Sequence, residues 1–134
     1  MILGKRLTTA LLSAAVAIGL AWATPAKAAD QNPITIGFGM ALTGGLAPNG
    51  KAALLAMQIW AEGINAHGGL LGRPVKLIYY DDQSNPSTVP GIYTKLLDVD
   101  HVDLLVSGYG TNMIAPAMPV IIQHNRTFLG LFGL

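Results

Sequence analysis

At 134 residues the chain has length for one small domain at most. It contains no cysteine, which excludes a disulfide framework and a lipid attached at a leader cysteine. Eight basic residues against seven acidic ones give a net charge of +1, and the basic excess lies entirely in the first segment.

In that segment Lys5 and Arg6 stand without an acid, and Leu7 to Trp22 is apolar and uncharged. Ala26 and Ala28 then supply the small residues of an A-x-A cleavage site. Basic start, apolar middle and small-residue exit are the three parts of a secretory signal peptide. A membrane span needs about 20 apolar residues, and this run is shorter and meets Pro25 directly afterwards. The sequence therefore reads as a signal peptide over residues 1–28 and a folding segment over 29–134. Taking Lys5, Arg6 and Lys27 from the eight basic residues leaves five against seven acidic, a formal charge of −2. No basic stripe survives, so a nucleic-acid partner loses its electrostatic basis.

Ile34 to Met40 alternates bulky with small residues and predicts a first strand. Thr43 to Gly50 reads as a Gly/Pro loop. Ala53, Met57, Trp60 and Ile64 recur at i, i+4, i+7 and i+11, the buried face of a helix that Gly68-Gly69 stops. Val75 to Tyr80 predicts a second strand. Asp81 to Pro86 is a turn into a second helix, with Asn85 as cap, Pro86 at the first helical position and Pro90 delaying or kinking the start. Val102 to Val106 predicts a third strand, with Leu104, Leu105 and Val106 buried on both faces. Ser107 to Thr111 is a glycine-bearing loop. Asn112 to His124 is a third helix strained by Pro116 and Pro119, and Phe128 to Phe132 begins a fourth strand. Strict alternation predicts right-handed crossovers and an α/β fold, a partial doubly wound parallel sheet. The apolar run Thr127 to Leu134 has no helix after it to cover its face, so the sequence reads as truncated.

Gly45 to Ala52 matches G-x-x-x-x-G-K, the phosphate-cradling loop of nucleotide-binding proteins. Ala52 stands where that loop needs a hydroxyl for Mg²⁺, and Pro48 removes a backbone donor. A P-loop-like nucleotide-binding fragment is the alternative reading, beside a gene remnant without function. Gly37-Phe38-Gly39 lacks the third glycine of a dinucleotide fingerprint. Asp81 and Asp82 read as turn and capping residues. His67, His101 and His124 lie in separate segments without ligand spacing, and Leu105 occupies the first glycine position of a nucleophile elbow at Ser107. The chain reads as a non-enzyme without metal or cofactor. Ligands of open parallel sheets bind outside the carboxyl ends of the strands. Two loops qualify, Leu42 to Gly50 and Gly108 to Asn112. The second offers backbone N–H groups, a hydroxyl, an amide and a ring at a helix start, where a carboxylate would be stabilised.

Ile36-Gly37 through Leu42-Thr43-Gly44, the run from Gly63 to Val75, and Tyr80-Asp81-Asp82 with Asn85-Pro86 carry a resemblance. Together they resemble the periplasmic leucine/isoleucine/valine-binding type of ABC-transporter substrate-binding protein, over nearly everything after the leader. The resemblance implies a type I periplasmic binding protein fold, a two-lobed clamshell, with residues 29–134 forming an incomplete N-terminal lobe. It implies a periplasmic location, no cofactor, and two partners: a small-molecule ligand (an amino acid or similar small polar solute) and a membrane permease. Relatives also carry amides, urea and aromatic acids. It implies ligand contacts from Tyr109, Gly110, Thr111 and Asn112, and from Asn49 at a position where the family often has an aromatic residue. The family is roughly three times longer than this segment, which leaves the hinge and second lobe outside it.

Overall fold

In the computed structural model, which describes residues 32–133, the bulky–small alternation of Ile34–Met40 becomes a two-faced central strand, β1. The signal-peptide expectation lies outside the described residues. On one face of β1, Ile36, Phe38 and Met40 pack with Ala53, Met57 and Ala61 of helix α1 (Ala47–Ala66). Gly37 and Gly39 occupy the other face. A Cβ on Gly37 would fall within 2.9–3.0 Å of the Val102 and Leu96 side chains, so the absence of a side chain lets helix α2 (Val89–Asp98) approach the strand. The second core forms there, from Val89, Tyr93, Leu96 and Leu97 with Leu105, Met113, Ala117 and Ile121.

Four parallel strands follow the order β2-β1-β3-β4, with β2 at Val75–Asp81, β3 at Leu104–Val106 and β4 at Phe128–Leu129. The fold is the expected α/β doubly wound sheet, with helices on both faces. β1 and β2 pair from Ile34 opposite Val75 to Met40 opposite Asp81, which puts Asp81 beside the last residue of β1. β3 and β4 are shorter than the sequence pattern suggests, at three and two residues.

The prolines act as helix starts. Asn85 Oδ1 accepts the Ser87 N–H at 3.0 Å, capping a single 3-10 turn (Pro86–Thr88) that begins at Pro86. α2 begins only at Val89, with Pro90 in its first turn, where a missing N–H leaves no bond unmade. The expected third helix is divided into α3 (Thr111–Ile114), a 3-10 turn (Ala115–Ala117) and α4 (Met118–Gln123), with Pro116 and Pro119 each opening a new segment.

Two burial expectations are corrected. The inward stripe of α1 runs through Gly50, Ala53, Met57 and Ala61, whereas Trp60 is 43% exposed. Leu104 is 39% exposed rather than buried. Both line one apolar groove with Leu70, Leu129 and Leu131, on the α1 side of the sheet along the edge of α1.

Two glycines of α1 test this packing in opposite senses. A Cβ on Gly50 would collide with the Ala41 carbonyl, whereas one on Gly63 meets only open space. Urea unfolding should show Gly50→Ala losing about 2 kcal/mol or more through overpacking. Gly63→Ala should gain about 0.5–1 kcal/mol by restricting the unfolded chain and raising helix propensity. Equal effects at both positions would refute the close helix–strand contact.

Candidate functional site

Winding direction locates the site. From β1 the chain steps one way to β2, then crosses back over β1 to reach β3. Right-handed crossovers in opposite directions send α1 and α2 to opposite faces, so the loops leaving β1 and β3 diverge and open a crevice between adjacent strands.

The β1 loop is fastened to the end of β2. Asp81 Oδ1 accepts the backbone N–H groups of Leu42 at 3.0 Å, Thr43 at 3.2 Å and Gln83 at 2.8 Å, while Oδ2 accepts the Thr43 hydroxyl at 2.7 Å. Burial pushes the Asp81 carboxyl upward, but the bonds from the Thr43 hydroxyl and the Gln83, Leu42 and Thr43 amides outweigh it and hold the group below its usual range. The Ser84 hydroxyl donates to the Thr43 carbonyl at 2.6 Å and accepts the Leu46 N–H at 3.0 Å. Across the crevice, Asn49 Nδ2 donates to Tyr109 Oη at 2.9 Å. The Tyr109 ring lies 6.4 Å from that of Phe132, so the segment after β4 reaches the same pole.

The structure therefore brings Asn49 and Tyr109 into contact, with Gly110 half-buried and Thr111 and Asn112 exposed beside them. Three details differ from expectation. Asn49 sits in the first turn of α1 and not in a loop, because the helix begins at Ala47. The Gly110 N–H is not free, since the Phe132 carbonyl accepts it at 3.1 Å. α3 is a single turn, too short to carry much of a helix dipole on its own. The P-loop match fails on the same geometry: the Gly50 N–H is bonded to the Leu46 carbonyl at 2.9 Å inside the helix, where a phosphate cradle would need it open.

Sequence reasoning missed the Asp81–Thr43–Ser84 fastening. Its signal lay in the strand register, which places Asp81 next to Met40 and so within reach of the residues that follow β1. The three histidines also gain a role. Nδ1 of His67, His101 and His124 each approaches the carbonyl four residues earlier, at 2.8, 3.1 and 2.7 Å, at or just past the C-termini of α1, α2 and α4. They add a side-chain partner to carbonyls near helix ends, where backbone acceptors run short of donors, although the Val120 carbonyl also accepts the His124 N–H at 3.1 Å. Among the described residues no group of three His, Cys, Asp or Glu side chains could hold a metal ion.

Asp81 sets a pH dependence with a definite sign. A carboxyl with a depressed folded pKa contributes stability above its unfolded pKa and loses it as pH falls through the folded value. Asp81→Ala should cost about 1–2 kcal/mol at neutral pH, the worth of the net hydrogen bonding removed. In thermal denaturation the gap from the unsubstituted chain should close on acidification, and a gap that widens in acid would contradict the arrangement.

A family model described as periplasmic binding protein matches residues 33–134. Among solved structures, the branched-chain amino acid transporter substrate-binding protein LivJ from Streptococcus pneumoniae, in complex with isoleucine, superposes with a TM-score of 0.72 at 24% identity. The match covers 76% of this chain and 29% of LivJ. A putative branched-chain amino acid ABC transporter protein from Silicibacter pomeroyi is 30% identical, with a TM-score of 0.66 over 74% of this chain and 25% of that one. A solute-binding protein of an ABC transporter from Rhodopseudomonas palustris BisB5, in complex with 3,4-dihydroxybenzoic acid, gives 22% identity and a TM-score of 0.67 over 75% and 27%. The chain thus spans less than a third of the length of each of these proteins, and its sheet and helices match a type I periplasmic binding protein fold.

Proposed function

We propose, for a chain that belongs to the periplasmic binding protein family, that the crevice between the β1 and β3 loops is one wall of a site for a small polar solute. The observation that carries this reading is the Asn49–Tyr109 hydrogen bond, which spans the crevice where the winding direction reverses. Around it Tyr109, Gly110, Thr111 and Asn112 supply an aromatic ring, backbone, a hydroxyl and an amide, the neutral polar groups that orient a small zwitterion or acid. The solute is an amino acid of the branched-chain type or a related small acid. Isoleucine in LivJ and 3,4-dihydroxybenzoic acid in the Rhodopseudomonas palustris protein both carry a carboxylate, which supports that class. The protein acts in the periplasm, after removal of residues 1–28, by presenting its solute to a membrane permease. It needs no cofactor and no catalytic group.

One wall alone buries only part of a ligand's surface, so affinity for this chain is weak, with a dissociation constant on the order of millimolar. Titration with isoleucine, leucine, valine and 3,4-dihydroxybenzoate, followed by amide chemical shifts, should give saturable changes confined to Thr43–Leu46 and Tyr109–Asn112. Asn49→Ala should diminish them without altering shifts in the β1 and β2 cores. If every solute in the panel leaves those amides unmoved at about ten times that concentration, the assignment of the loops is wrong.

A further inference from the structure

Asp82 belongs to none of the contacts just described. It directly follows β2, is 1% exposed, and among the described residues shares burial of a polar side chain only with Ser107. Its Oδ1 accepts the Ser84 N–H at 2.9 Å, and its backbone N–H donates to the Met40 carbonyl at 3.0 Å. Its carbonyl accepts the Asn85 N–H at 2.9 Å and the Thr88 hydroxyl at 2.8 Å. Oδ2 is buried with no hydrogen-bond partner among the described residues. That oxygen faces the start of the β3 loop: a Cβ on Gly108 would fall 3.4 Å from it and 2.5 Å from the Gly39 carbonyl. The carboxyl therefore touches its own loop after β2 at Ser84, whose hydroxyl in turn bonds the β1 loop at Thr43 and Leu46, and the β3 loop at Gly108.

Few charged groups surround it. Asp81 precedes it and carries a like charge, while α2 contributes the Tyr93 phenol, which donates to the Val106 carbonyl at 2.7 Å and is pushed well above its ordinary range by burial. β1 at Gly39 and Met40 and the β3 loop at Ser107 and Gly108 bring no titratable side chain beyond these. Among the described residues no cation acts on Asp82, so its ionised form is an uncompensated buried charge that a proton removes. Burial raises the carboxyl above its usual range, the Ser84 N–H opposes this in part, and Asp81 adds to it. When protonated, the side chain gains an O–H donor in a pocket that contains the Gly39 carbonyl, an acceptor.

We propose that Asp82 is a proton-dependent latch, a positioning residue that holds the β1 and β3 loops together when neutral and loosens them when ionised. That these loops meet a solute rests on the reading above, but the latch is tested without any solute, so either idea can fail alone. The sign is opposite to that of Asp81. A raised folded pKa gives stability that is complete below the unfolded pKa and is lost as pH rises through the folded one. Amide hydrogen exchange of the full chain, corrected for intrinsic rates, reads this at Leu46, bonded to Ser84, and at Gly110, bonded to Phe132. Between about pH 4 and about pH 8 both amides should lose protection by at least about threefold while amides within β1 and β2 keep theirs. Asp82→Asn, a neutral isostere, should keep Leu46 and Gly110 protected and flat across the range. Asp82→Ala should leave them unprotected and equally flat. The Asn variant also separates the latch from His124, which titrates against Asp98 at 3.0 Å. A flat profile in the unsubstituted chain, a pH response that survives Asp82→Asn, or a loss shared by the strand amides overturns the proposal. Should Asp82→Asn fail to fold, the profile of the unsubstituted chain decides.

Discussion

The unequal faces of β1 are the constraint on which the rest of the molecule depends. Large side chains on one face hold α1 at a side chain's distance, and glycines on the other bring α2 down close to the backbone. That close approach places Tyr93 over Gly39, with its ring edge-on to Phe128 at 5.5 Å and its hydroxyl on the Val106 carbonyl. A single α2 residue thereby spans β1, β3 and β4 just below the crevice. The loops above are carried by strands whose ends are tied together from beneath, which is the condition for a pre-organised polar surface.

The two consecutive carboxylates show how the same pleat separates chemical roles. Residues 75, 77 and 79 of β2 pack toward α1, and residues 78 and 80 toward α2, so Asp81 and Asp82 diverge at the strand end. Asp81 turns to the β1 loop and collects four hydrogen bonds, whereas Asp82 turns into the interior and collects one through its side chain. Identical groups one residue apart are driven in opposite directions, because donors dominate one environment and desolvation the other.

Much of this was legible in the sequence where the determinant is local. The Asn85 cap, the delayed start of α2 at Pro90 and the division of the third helix at Pro116 and Pro119 follow from what proline and asparagine do to their own backbone. The meeting of Asn49 and Tyr109 was legible at the level of loops, since alternating strands and helices place both at the carboxyl ends of the sheet. The Asp81 fastening, the buried Oδ2 of Asp82 and the engagement of the Gly110 N–H by Phe132 were not, because each joins residues more than twenty positions apart through a register that no local pattern encodes. The histidines lay between these cases. Their spacing offered no metal-ligand pattern, and their common relation to a carbonyl four residues back emerges only once the helix ends are fixed.

The misplacement of Trp60 and Leu104 has a single topological cause. Periodicity reports which residues of an element could face a core, and by that measure Trp60 belongs on the inward face of α1 and Leu104 inside the sheet. Whether a core exists opposite them depends on where the other helices lie. The steps from β2 to β3 and from β3 to β4 advance in one direction, so α2 and α4 share a face, while α1 alone serves the other and contacts β1 and β2. Among the described residues, Leu104 and Leu129 then lie where the sheet runs out past the edge of α1, which still covers Val106, and Trp60 lines the side of a groove instead of its floor. The helical phase inferred for α1 was right to within one position. The error lay in assuming that a parallel sheet is covered evenly on both faces, when coverage follows the order in which the strands are laid down.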